Sequence, residues 1–136
     1  MIGDLDPTIA ALFSYVSWGT PGAQASRTIE IQATIKDAQG NTLAAATTDV
    51  QVVVSDSATD GEPSATATLA AAGTPVGTVL AGSGTATIVM RTNASGLFSI
   101  AITEASAASR YLNVSQGVNS QAYVRANAAP KQVTFT

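Results

Sequence analysis

The stretch RTIEIQATIKDAQGN, residues 27–41, decides how the chain is read. Ile29, Ile31, Ala33 and Ile35 alternate with Glu30, Gln32, Thr34 and Lys36. Successive side chains of a strand point to opposite faces, so a period of two places the aliphatic set on one side of a half-buried strand. Asp37 to Asn41 then reads as a turn. Gly40 tolerates a positive φ, and Asp37 and Asn41 can bond nearby backbone. A strand with one dry face needs a second layer to cover it.

The rest of the chain repeats the pattern. Residues 48–56, TDVQVVVSD, point Val50, Val52 and Val54 inward, with Val53 on the other face. Residues 64–72 read as a strand of low bulk, and 76–80 as an edge strand inside a Gly-rich segment. Ala86, Ile88 and Met90 share a face. After the polar turn TNASG, Phe98, Ile100 and Ile102 continue as the predicted hairpin partner. Asn93 and Gly96 suit turn positions with positive φ. Segments 110–116, 120–126 and 131–136 supply three short strands. The sum is roughly eight or nine short strands at regular spacing with no convincing helix, the pattern of an all-β sandwich.

Residues 1–26 differ. They hold Trp18, Pro7, Pro21 and a Gly-Thr-Pro-Gly break at 19–22, and they read as an N-terminal arm or first strand preceding a domain over 27–136. Residues 11–18 suit a strand, and 8–13 suit a short helix as an alternative. Leu12, Phe13, Tyr15 and Trp18 form the densest apolar and aromatic group. They either close one end of the core or anchor the arm on a partner, since Trp and Tyr dominate interface hot spots.

Composition excludes several functions. There is no histidine and no cysteine, which removes the commonest general base, thiolate nucleophiles, disulfides and Cys-based zinc sites. The six basic residues are scattered and the net charge is −3, so binding to a nucleic-acid backbone has little support. The apolar run at 9–18 follows Asp4 and Asp6 and falls short of the ~20 residues that span a bilayer; no export signal or membrane anchor is expected. Charged residues are 11% of the chain, against about 25% in an average protein, and Thr, Ser, Asn and Gln dress the surface instead. The acidic cluster Asp56, Asp60 and Glu62 lacks the spacing of a calcium loop. AGSGTA at 81–86 lacks the residues of a phosphate loop. Asn93 and Asn113 head glycosylation sequons that matter only in a secretory pathway. No catalytic group, cofactor or metal is expected.

The order of features in IEIQATIKDAQGN and MRTNASGLFSIAIT resembles bacterial Ig-like domains of the invasin type, over roughly residues 27–136. An alternating strand meets an Asp-x-x-Gly-Asn turn, and after a valine-rich strand comes Thr-Asn-Ala-x-Gly-x-Phe. Thr42 stands where the family often has proline, and residues 57–84 are long for the module. Such modules also occur in tailed-phage structural proteins. The resemblance implies an Ig-like sandwich that binds or presents rather than catalyses. A single unit without export signal or anchor fits a virion protein assembled in the host cytoplasm. The expectation is a capsid decoration protein, its arm gripping the major capsid protein or another virion protein, as a monomer or homo-oligomer such as a trimer. The alternative is a tail or fibre module binding host-surface carbohydrate through exposed aromatics, with Tyr111 and Tyr123 as candidates.

Overall fold

The computed structural model describes residues 15–37, 39–43, 47–59, 61–116 and 130–136. They form nine strands: β1 (Tyr15–Trp18), β2 (Thr28–Lys36), β3 (Asp49–Ser55), β4 (Thr68–Ala71), β5 (Thr78–Ala81), β6 (Thr87–Arg91), β7 (Leu97–Thr103), β8 (Ser109–Gln116) and β9 (Lys131–Thr134). One sheet has the order β1-β2-β7-β4 and the other β5-β6-β3-β8-β9. Every pairing is antiparallel. The predicted all-β sandwich is therefore the fold. β1-β2-β7-β4 opposite β3-β8-β9 has the neighbour relations of the ABED and CFG sheets of an immunoglobulin sandwich. β5 and β6 extend the second sheet beyond β3, although the strand in the D place, β4, precedes them in the chain.

The alternation lands where its period puts it. Ile29, Ile31, Ala33 and Ile35 of β2 face Val50, Val52 and Val54 of β3 through one continuous core with Ile88, Met90, Phe98, Ile100, Ile102, Leu112 and Val114. Burying each large aliphatic side chain contributes about 1.5–3 kcal/mol, so a dozen such residues hold the two sheets together. Val53 is also buried, on the outer face of β3. It lies opposite Asn113 of β8, and Ser55 and Asn113 are buried on that same face.

Three expectations are corrected. β6 and β7 are not a hairpin: β6 pairs with β3 and β5, and β7 with β2 and β4. The chain at TNASG passes from one sheet to the other, because Met90 and Phe98 must both reach the core from opposite layers. Asn93 does not adopt a positive φ; among described non-glycine residues only Ser26 does. Residues 64–67 precede the short strand β4 as a side-chain-closed turn, with the Ser64 hydroxyl accepting from the N–H groups of Thr66 (3.1 Å) and Ala67 (3.0 Å). The readings placed on residues 1–14 and 120–126 lie outside the described residues.

Candidate functional site

The two turn motifs are one device used twice. Asp37 Oδ1 accepts from the N–H of Gln39 and of Asn41, both at 2.9 Å. Asn93 Oδ1 accepts from the N–H of Ser95 at 2.9 Å and of Leu97 at 3.0 Å. In each, the Gly three residues on has a positive φ, 87° at Gly40 and 77° at Gly96. In each, the first residue's N–H donates to the carbonyl four residues on, at 2.9 Å. The Asn93 turn stands between β6 and β7, which lie in different sheets, whereas after the Asp37 turn the chain first runs back beside β2 through the Lys36–Thr42 bridge; both lie at the same end of the sandwich. Gly96 also accepts the Ile35 N–H at 2.9 Å, and Ile35 accepts the Leu43 N–H at 3.1 Å, so the corners are tied through β2.

Of the four residues expected to meet a partner, Leu12 and Phe13 lie outside the described residues. Tyr15 and Trp18 lie on β1, the edge of the first sheet. Trp18 stacks edge-on against Phe98 with ring centroids 5.8 Å apart, which is packing against the core. Its Nε1 is buried without an acceptor among the described residues. Tyr15 is half-buried opposite Lys36, and its hydroxyl would stand 3.4 Å from a Cβ placed on Gly40. It borders the corner end and keeps surface to offer.

The opposite end holds a charged clamp that the turn chemistry did not reveal. Glu104 is 1% exposed. Its Oε2 accepts from Arg110 Nε at 2.6 Å and from Thr66 Oγ1 at 2.8 Å, and its Oε1 accepts from the Ser106 N–H at 3.1 Å. Burial pushes the carboxyl pKa up, but the hydrogen bonds from Thr66, Ser106 and Arg110 and the guanidinium charge outweigh it and hold the group below its ordinary value. A carboxylate so held is ionised and fully partnered, so it serves as a clamp between layers rather than as a general acid. The signal lay in the alternation itself. Glu104 continues the inward set Phe98, Ile100, Ile102 of β7, and Arg110 continues Leu112 and Val114 of β8. Arg110 Nε also meets Asp56 at 3.2 Å, which draws the acidic loop onto the clamp; Asp60 lies outside the described residues.

Elsewhere several polar residues are engaged structurally. Arg91 forms a two-point contact with Asp49, at 2.7 and 3.2 Å. Asn113 at the head of its sequon is buried, its amide donating to Ser55 Oγ at 2.8 Å, so it is closed to glycosylation in the folded chain. Tyr111 sits half-buried on a strand, not on a loop. Among the described residues no three carboxylates converge on a cation site. Comparisons with protein-family models, with curated proteins and with solved structures find no match.

Proposed function

We propose that the chain is a structural protein of a phage virion, decorating the outer surface of the capsid and gripping a capsid protein through its N-terminal segment. The observation that carries this reading is the position of β1. It is an edge strand of the first sheet, and the sequence leading into it contains Ile9, Leu12 and Phe13. An apolar segment entering a sheet edge suits contact by strand addition or by apolar anchors. The buried ionisable pair Glu104–Arg110 is consumed in holding the layers, and the corner side chains are consumed in holding turns, which supports a binding scaffold over an enzyme.

The test is attachment. Purified protein is mixed with undecorated heads and with tails, and each is sedimented. Recovery with heads, lost on removal of residues 1–14, is the expected result; that truncation leaves all nine strands in place. Recovery with tails alone, or turnover of a glycan substrate, overturns the proposal.

A further inference from the structure

We draw no further inference here: the strongest candidate, the trough of about 250 Å³ on the outer face of the first sheet between residues 20–22 and 72–76, has its Glu30 carboxylate and Ser99 hydroxyl already bonded to the backbone N–H groups of Gly73 and Val76, and nothing in the structure shows what covers it.

Discussion

Replacing Gly96 by alanine tests the inter-sheet corner, because the structure separates two costs. The first is conformational: at φ 77° an L-residue loses about 1–2 kcal/mol. The second is steric: a Cβ at Gly96 would lie 2.5 Å from the Leu43 carbonyl oxygen and 3.0 Å from Thr42 Cγ2, an overpacking that costs roughly 1–3 kcal/mol. Together they amount to about 2–5 kcal/mol. Gly84 is the internal control, since it has φ 87° and a Cβ there meets nothing within 4 Å. Gly84→Ala should cost about 1–2 kcal/mol. At about 2.1 cal/mol/K of unfolding entropy per residue, 1 kcal/mol moves Tm by roughly 3.5 °C for this chain. Calorimetry should then find Tm lowered by about 4–7 °C in Gly84→Ala and by about 7–17 °C in Gly96→Ala. Equal losses in the two variants would refute the packing of the TNASG corner against residues 42 and 43.

Other perturbations probe the clamp, the turns and the aromatic contact. Glu104→Leu removes the buried partner of Arg110 and leaves it only the exposed Asp56, so it should cost up to about 3–5 kcal/mol in denaturant unfolding. Because the folded chain holds the Glu104 pKa below its unfolded value near 4.5, its contribution is present above that pH and is lost as pH falls through the lower folded value; the acid limb of the wild-type stability profile should be flatter in the variant. Asp37→Ala should lose about 1 kcal/mol with its two accepted hydrogen bonds, whereas Asp37→Asn should be close to neutral in the same urea titration, since Asn93 performs the identical task. Trp18→Phe removes a buried donor that has no described acceptor, so its loss should be far smaller than the roughly 3–5 kcal/mol typical of Trp→Ala, as read by chemical unfolding of both variants.

Much of the fold is legible in the alternation. Where an aliphatic period of two runs for several residues, as at 29–35, 50–54, 86–90 and 98–102, the inward face follows from strand geometry alone. Pairing is less legible, because a turn's chemistry specifies how the backbone closes and not whether the strands that leave it stay in one sheet. TNASG closes locally by the bonds of a tight turn, yet its flanking strands part to opposite layers, a choice made by core packing around Phe98. The clamp was written in the same alternation that gave β7 and β8. A charged residue at the end of an apolar period reads as the point where a strand leaves the core, and only the facing layer reveals that Glu104 has Arg110 to meet. Nothing in the string SR at 26–27 announces the positive φ of Ser26, a conformation held by the Ala25–Thr28 backbone closure and, from outside the turn, by Gln24 donating to Ser26 O and the Glu104 N–H donating to Arg27 O.

The pairing of β2 with β7 sets Thr28 opposite Thr103 and Thr34 opposite Leu97. During synthesis β2 therefore emerges long before its principal neighbour exists, and β3 to β6 must be made in between. Non-local pairing of this kind slows folding towards the millisecond-to-second range. A nascent chain halted before Leu97 carries an Ile-rich ribbon with one side unzipped. Completion of β7 shuts that side of β2, and β8 must still follow before the open side of β3 is covered in turn.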